Sequence, residues 1–224
     1  MSTADPFETA IERLAEALGR PVSDDAAWSR LRARVARFTR LASEWNQHLD
    51  LTAAAGPNDI AEVLVADALV LARPELVNEG EALLDVGTGA GGPALALAIL
   101  REDLSVALLE PKGKRVAFLR TVIGALDLAP RVRAHEGRVE AKKPSVPPTV
   151  AAQLPRIDVS CARATFEPRV WSDVGLALAP STLVLLAQES VPEGRSVAAT
   201  VRYTLPFKGA PRQIVRLDRP RTSA

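Results

Sequence analysis

The most informative segment of the chain is Leu83-Leu84-Asp85-Val86-Gly87-Thr88-Gly89-Ala90-Gly91-Gly92. An apolar strand passes here into a turn rich in glycine, and a helix is predicted to begin near Pro93. Glycines allow a ligand to lie against the backbone, and the start of a helix presents N–H groups without partners. In α/β proteins, nucleoside-type cofactors bind at the carboxyl end of such a strand. The segment therefore predicts a cofactor site at this turn.

The rest of the chain has the pattern of an α/β protein. Helical stretches separate five predicted strands, at 82–86, 105–110, 131–135, 157–161 and 182–187. Alternation of this kind predicts a mostly parallel sheet with helices on both faces. Two short alternating runs, 198–203 and 213–217, are predicted to close the sheet as an antiparallel pair. The expected architecture is a Rossmann-like, doubly wound, seven-stranded sheet, with a proline-rich surface loop over 142–155.

The N-terminal part is predicted to be helical. Asp5 and the segment Ser23-Asp24-Asp25 stand at the starts of two amphipathic helices, and a third helix is expected after Gly56-Pro57-Asn58, running to about Arg73. We therefore divide the chain into an N-terminal helical extension, residues 1–75, and a core, residues 76–224. Arg30, Arg34 and Arg37 lie on one flank of the second helix, and they form either a solvated helix face or a patch for RNA phosphates.

Composition limits the classes of function. With 224 residues, 47% of them hydrophobic and 25% charged, the chain can bury one core. A net charge of +1 gives no overall preference for nucleic acid. The single cysteine, Cys161, excludes an intramolecular disulfide, and the two histidines lack the spacing of a zinc site, so no metal is expected. We find no signal-peptide pattern and no apolar run near the ~18 residues that would span a bilayer, so a cytoplasmic protein without a membrane partner is expected. We also expect a monomer.

Two cofactor classes fit the glycine turn. Gly87, Gly89 and Gly92 satisfy the Gly-x-Gly-x-x-Gly pattern of nicotinamide and flavin enzymes. The Asp-x-Gly-x-Gly-x-Gly form instead resembles motif I of class I methyltransferases, which bind S-adenosylmethionine (SAM). Pro93 also removes one of the helix-start N–H groups that a pyrophosphate would use. Glu110, at the end of the next strand, is predicted to accept hydrogen bonds from the ribose hydroxyls of either cofactor.

Several segments together resemble one family of class I methyltransferases. They are Trp45–Thr52, Asp85–Gly91 with Pro93, Gly113–Arg120, Arg138-Val139-Glu140 and Arg163-Ala164. Their order and spacing, from about residue 40 to the C-terminus, are similar to those of the small-subunit rRNA methyltransferase G family, also called glucose-inhibited division protein B. Members of that family use SAM to methylate N7 of a guanine in 16S rRNA. The resemblance implies SAM as cofactor and 16S rRNA in the small ribosomal subunit as partner.

The resemblance also implies roles for individual residues. It places SAM against Asp85, Gly87, Thr88, Gly89, Gly91, Glu110, Val139 and Glu140, with Val139 and Glu140 beside the adenine. Arg138 and Arg163 would face the substrate, although Arg163 could instead pair with a carboxylate at the rim of the sheet. Asp67 and Glu140 are the candidates for an acid that assists methyl transfer.

The chain departs from the family pattern mainly on the substrate side. Leu64 and Ala68 replace a histidine and a serine around Asp67, Ala187-Gln188 replaces a Lys-Gly pair, and Ala94 replaces a glycine. Loss of a cation weakens contacts with phosphates. A methyltransferase of the same fold that acts on a small molecule is therefore the alternative. The third hypothesis is a catalytically silent SAM-binding or scaffold protein, or a nicotinamide-binding protein.

Overall fold

A computed structural model describes residues 5–220, and its centre is one sheet of seven strands. The strands are β1 (Ala82–Val86), β2 (Ser105–Glu110), β3 (Val132–Glu136), β4 (Val159–Ala162), β5 (Ser181–Leu186), β6 (Ser196–Thr204) and β7 (Pro211–Asp218). Their spatial order is β3-β2-β1-β4-β5-β7-β6. The first five pair in parallel, whereas β7 runs antiparallel to both β5 and β6. The predicted mostly parallel sheet with an antiparallel closing pair is confirmed.

Eight α-helices surround the sheet within residues 5–220. They are α1 (Pro6–Leu18), α2 (Asp25–Leu49), α3 (Gly56–Ala61), α4 (Asp67–Leu71), α5 (Ala94–Leu100), α6 (Gly113–Ala125), α7 (Pro148–Gln153) and α8 (Pro168–Leu178). The predicted cap of α1 is in place, since Asp5 accepts from Phe7 N at 2.8 Å, and Asp24 caps α2 by accepting from Ala27 N at 2.6 Å. None of the helices in this range combines the length and apolarity needed to cross a bilayer.

The apolar core has two parts, one on each face of the sheet. On one face lie α5 and α6, and the outer helices α1 to α4 pack against them in a single buried cluster. On the other face, α7 and α8 pack in a second cluster around Trp171. Every residue of α5 is buried, because the sheet covers one side of this helix and α2 and α4 cover the other. The division into residues 1–75 and 76–224 stays a prediction.

One local expectation was wrong, and one predicted helix contains an irregular turn. The predicted surface loop over 142–155 contains α7, whose Val150 is fully buried. Pro148 occupies the first turn of that helix, where the missing N–H of proline costs nothing. The third predicted helix is not uniform either, because a π-helical turn, Glu62–Ala66, separates α3 from α4. This turn passes close to the glycine segment, since a Cβ on Gly92 would lie 2.7 Å from Leu64 Cα.

Candidate active site

The glycine turn after β1 lies flat against β2. Gly87 and Gly89 adopt positive φ values of 74° and 60°, which glycine reaches without steric cost. The N–H groups of Gly87 and Thr88 donate to Leu109 O, at 2.8 and 3.2 Å. A Cβ at Gly87 would collide with the side chain of Thr165. The turn is thus fixed on two sides by protein and presents bare backbone on its remaining side.

Glu110 closes β2 directly beside this turn. Its Oε2 accepts from Gly89 N at 2.9 Å, and its Oε1 accepts from Lys112 N at 3.0 Å. Only 3% of the residue is exposed. Each carboxylate oxygen carries further lone pairs, so the group is held in place and still has acceptor capacity for a ligand. Glu110 thus lies beside the glycine turn, and its contact with a cofactor stays a prediction.

A cavity of about 510 Å³ opens at the carboxyl ends of the strands, above Glu110 and the turn. Such a volume lies within the range of small-molecule and cofactor sites. The predicted site residues that line it are Gly87, Thr88, Gly89, Glu110, Arg138, Val139 and Arg163. The structure therefore brings together residues from β1, β2, the segment after β3 and the segment after β4.

Asp85 and Gly91 do not line this cavity but lie under the turn. Asp85 is 1% exposed, and its Oδ2 has no hydrogen-bond partner among the described residues, nor has Thr88 Oγ1. Burial raises the pKa of Asp85 from 3.8 to about 7, against the opposing effects of Thr88 and Arg163. Gly91 serves packing, because a Cβ there would come within 3.0 Å of the Leu95 side chain.

Glu140 also lies outside the cavity lining. It is exposed, and it forms an isolated backbone bridge with Lys143. Its neighbours differ: Val139 is buried in the wall, and Arg138 is exposed at the rim. The structure thus separates Glu140 from the residues with which the family resemblance groups it.

The segment after α2 supplies the opposite wall, through Leu51 and Thr52. The Asn46 side chain organises this turn: Oδ1 accepts from Leu51 N at 2.7 Å and Thr52 N at 2.9 Å, and Nδ2 donates to Thr52 O at 2.9 Å. Arg115 of α6 donates to Asp50 O at 3.1 Å and so ties the turn to the core. The N-terminal part of the chain is therefore part of the site.

Arg163 lies at the centre of a polar network in which Asp67 is buried and Arg163 and Tyr203 are half-buried. Its Nη1 donates to Val63 O at 2.5 Å and to Asp67 Oδ2 at 3.1 Å. Tyr203 Oη donates to Asp67 Oδ1 at 2.5 Å, and burial together with the Asp67 charge raises the pKa of Tyr203 well above its ordinary value. Both oxygens of Asp67 are occupied. Arg163 thus does pair with a carboxylate, while it also borders the cavity.

A second cavity, of about 400 Å³, lies next to the first. Val63, Arg163, Ala164 and Phe166 border both. Asp67 lines only the second cavity. The two cavities therefore meet at a shared wall formed by Val63 of the π-helical turn and by the segment after β4.

The arginines of α2 are largely occupied by protein partners. Arg32 pairs with Glu8 and Glu12, and Arg34 pairs with Glu102 at 2.7 Å and donates to Leu126 O. Arg30 and Arg37 form no ion pair with any residue that the structure describes. The three-arginine flank considered for RNA phosphates thus contains one arginine that is already paired.

Sequence patterns did not indicate the roles of Thr165, Tyr203 or Glu62 at these cavities. Tyr203 lies in a β6 run of alternating polarity, which indicates a strand and nothing more. Glu62 falls within a helical stretch, where a charged residue suggests a solvated face, yet it is buried. Only the contacts between distant segments reveal these residues.

Comparison with known proteins agrees with this geometry. The family model GidB, described as rRNA small subunit methyltransferase G, matches residues 32–191. Proteins named ribosomal RNA small subunit methyltransferase G match closely. One from Anaeromyxobacter dehalogenans (strain 2CP-C) is 36% identical, covering 95% of this chain and 98% of the relative. One from Myxococcus xanthus (strain DK1622) is 34% identical, covering 80% and 85%.

Solved structures show the same fold at low sequence identity. An O-methyltransferase from Bacillus cereus in complex with SAH, S-adenosylhomocysteine, has a TM-score of 0.52 at 16% identity, covering 82% of this chain and 91% of the other. TrmK from M. capricolum in complex with SAH has a TM-score of 0.51 at 9% identity, covering 72% and 71%. The fold is thus that of class I SAM-dependent methyltransferases, as predicted. From the family match and the relatives, the chain belongs to the GidB family, the rRNA small subunit methyltransferase G proteins.

Proposed function

We propose that this chain, a SAM-dependent methyltransferase by its family, transfers a methyl group to N7 of a guanine in 16S rRNA. The observation that carries the proposal is the cavity at the carboxyl ends of β1 and β2. There a fixed carboxylate, Glu110, lies beside bare glycine backbone. Relatives that match almost the whole chain have rRNA methyltransferase names, which do not favour the small-molecule alternative.

The residues present fit SAM. When bound, SAM supplies a methyl group on a positively charged sulfur, which makes the carbon electrophilic. Glu110 would accept from the two ribose hydroxyls, and Gly87 and Gly89 leave room for the nucleoside against the backbone. Val139 offers an apolar contact to the adenine.

The remaining residues have an orienting task. Guanine N7 already carries a lone pair, so its methylation needs no general base, and catalysis rests on proximity and alignment. Arg163, held by Asp67 and Val63 O, borders both cavities and would fix the base edge. Asp67 would then act through Arg163, because both of its oxygens are already engaged. Arg138, exposed at the rim, would contact an RNA phosphate.

Ribosomal RNA from a strain that lacks this protein tests the proposal. We expect nuclease digests of its 16S rRNA to lack one N7-methylguanosine, and plasmid-borne protein should restore it. An unchanged digest would contradict the proposal. Calorimetry with SAM, SAH and NAD checks the cofactor, and we expect the first two to bind and NAD not to bind.

The assembly and location follow from the same proposal. The partner would be 16S rRNA in the small ribosomal subunit, which the protein would meet in the cytoplasm as a monomer. Light scattering of purified protein, with and without small subunits, measures both the oligomeric state and the complex.

A further inference from the structure

The second cavity has an acidic residue in its wall that the proposed chemistry does not use. Glu62 belongs to the π-helical turn and is only 2% exposed. Its Oε1 accepts from Phe207 N at 2.6 Å and from Lys208 N at 3.3 Å. Its Oε2 is buried and has no hydrogen-bond partner among residues 5–220. An unsatisfied buried carboxylate oxygen is costly, so the position calls for a donor that protein does not supply.

The position of this cavity suits a target base. It shares Val63, Arg163, Ala164 and Phe166 with the first cavity. An atom placed at this shared wall would therefore be close to a methyl donor bound in the first cavity. Phe166 contributes an aromatic ring held by Trp171, with centroids 5.8 Å apart and planes inclined by 17°. A ring fixed in this way offers a stacking surface for an unstacked base.

Resting on the proposed function, we infer that the second cavity receives the target guanine and that Glu62 recognises its Watson–Crick edge. Guanine carries two adjacent donors on that edge, N1–H and the 2-amino group, whereas N7 lies on the opposite side of the purine. A guanine with N7 at the shared wall turns these donors away from the cofactor and into the second cavity, which Glu62 lines without bordering the first. A carboxylate oxygen is a strong acceptor for such N–H groups.

Cations at the same cavity suit the phosphate of the nucleotide. Lys208 is exposed and Arg212 half-exposed, and both line the second cavity. Glu62 also positions Lys208 through the backbone bonds to Oε1. The cavity thus offers an acceptor for the base and cations for the backbone, which is the combination that a nucleotide requires.

The same arrangement predicts rejection of adenine. Adenine presents an acceptor at N1 and no amino group at C2, so its edge would face the carboxylate without a hydrogen bond. Replacing Glu62 by Gln keeps an oxygen that can accept from Phe207 N and Lys208 N, while the second position becomes an N–H donor. Glu62→Gln is therefore expected to weaken the discrimination without removing the tie to the β6–β7 loop.

Small subunits reconstituted with 16S rRNA that carries guanine or adenine at the methylated position test this inference. The measurement is kcat/KM for methyl transfer from labelled SAM to each substrate, with Glu16→Gln on α1 as a charge-matched control. We expect Glu62→Gln to lower the guanine-to-adenine ratio at least about tenfold, the scale of one hydrogen bond to a charged group. The Kd of the Glu62→Gln protein for SAH should stay unchanged. The Glu16→Gln protein should match the wild type in the guanine-to-adenine ratio and in the Kd for SAH.

The possible outcomes are distinct. If wild-type protein methylates no guanine substrate, the proposed function fails. If it does, and Glu62→Gln keeps the wild-type ratio, whether its rates are normal or uniformly reduced, Glu62 has only a structural role and the inference is overturned. Should Glu62→Gln not fold, Lys208→Ala decides: a KM for small subunits raised severalfold, with SAH binding intact, supports the cavity as nucleotide site, and an unchanged KM overturns it.

Discussion

At the scale of single residues, three buried carboxylates near the glycine turn differ in what they contact. Glu110 accepts from two backbone N–H groups, and Asp67 accepts from Arg163 and Tyr203. Asp85 keeps one oxygen without any partner in the described part of the chain. The environments therefore differ: Glu110 keeps free acceptor capacity at the cavity, Asp67 holds the Arg163 cation, and Asp85 lies in the interior under the turn.

For Glu110 we expect the substitution to Gln to weaken cofactor binding. The amide keeps the shape of the side chain but replaces a charged acceptor with a neutral one and adds a donor, which cannot pair with Gly89 N. Hydrogen bonds to charged groups contribute about 1.5–3 kcal/mol, so the Kd for SAH should rise about tenfold to a hundredfold. Calorimetry measures this, with exposed Glu79→Gln as control. Equal affinities of Glu110→Gln and wild type would contradict the assignment.

For Asp85 we expect a pH-dependent stability in ligand-free protein. Burial raises its pKa from 3.8 to about 7 in the fold, so the folded state holds a proton that the unfolded chain has already released. The contribution of this protonated group to the free energy of unfolding is at most about 4 kcal/mol. It is fully present below pH 4 and is lost as the pH rises to about 7. Urea unfolding at pH 5 and pH 8 should show wild type losing stability relative to Asp85→Asn. Identical changes in the two proteins would rule this out.

At the scale of elements, the end of α2 and the turn after it form one wall of the cofactor cavity. Asp50 adopts a left-handed conformation with φ of 48°, which turns the chain back toward the sheet. Asn46 then closes the turn through three hydrogen bonds to Leu51 and Thr52. The helix thereby contributes a rigid edge to a site that is otherwise built from the sheet.

We expect Asn46→Ala to loosen this edge. Loss of the side chain leaves two N–H groups and one carbonyl of the turn without protein partners, at about 1–3 kcal/mol in folding free energy. The Kd for SAH should rise severalfold, because Leu51 and Thr52 line the cavity. Chemical unfolding and calorimetry measure the two effects. Exposed Asn58→Ala is the matched control, and an Asn46→Ala protein with wild-type stability would show that the turn does not depend on this side chain.

The same elements show how far sequence reasoning reaches. Strands, helix caps and the glycine turn were predicted because they depend on neighbours within a few positions. The α7 helix was missed because prolines suggest a loop, although Pro148 fits the first helical turn. Contacts such as Tyr203 with Asp67, 136 positions apart, and Phe207 with Glu62, 145 apart, have no local signal. The glycine turn and the position of Glu110 beside it were therefore predictable, whereas the second cavity was not.

At the scale of the whole molecule, the last strand and the start of the core are joined by a buried ion pair. Arg216 of β7 pairs with Glu81 at 2.6 Å and donates to Leu76 O at 3.0 Å. Burial acts to raise the pKa of Glu81, but hydrogen bonds from Arg216 and Asn78 keep this pKa below its ordinary value. The antiparallel part of the sheet is thus tied to the segment that leads into β1.

The N-terminal helices are equally integral, and this leads to a prediction about the division at residue 75. Helix α5 is buried on all sides, and α2 and α4 cover the side that faces away from the sheet. Without residues 1–75, this apolar surface and part of α6 would meet water, at about 25 cal/mol per Å². We expect residues 76–224 alone to lack a cooperative thermal transition and to bind no SAH, and co-expression of residues 1–75 to restore both. A fragment that melts cooperatively by circular dichroism would instead establish the core as an independent folding unit.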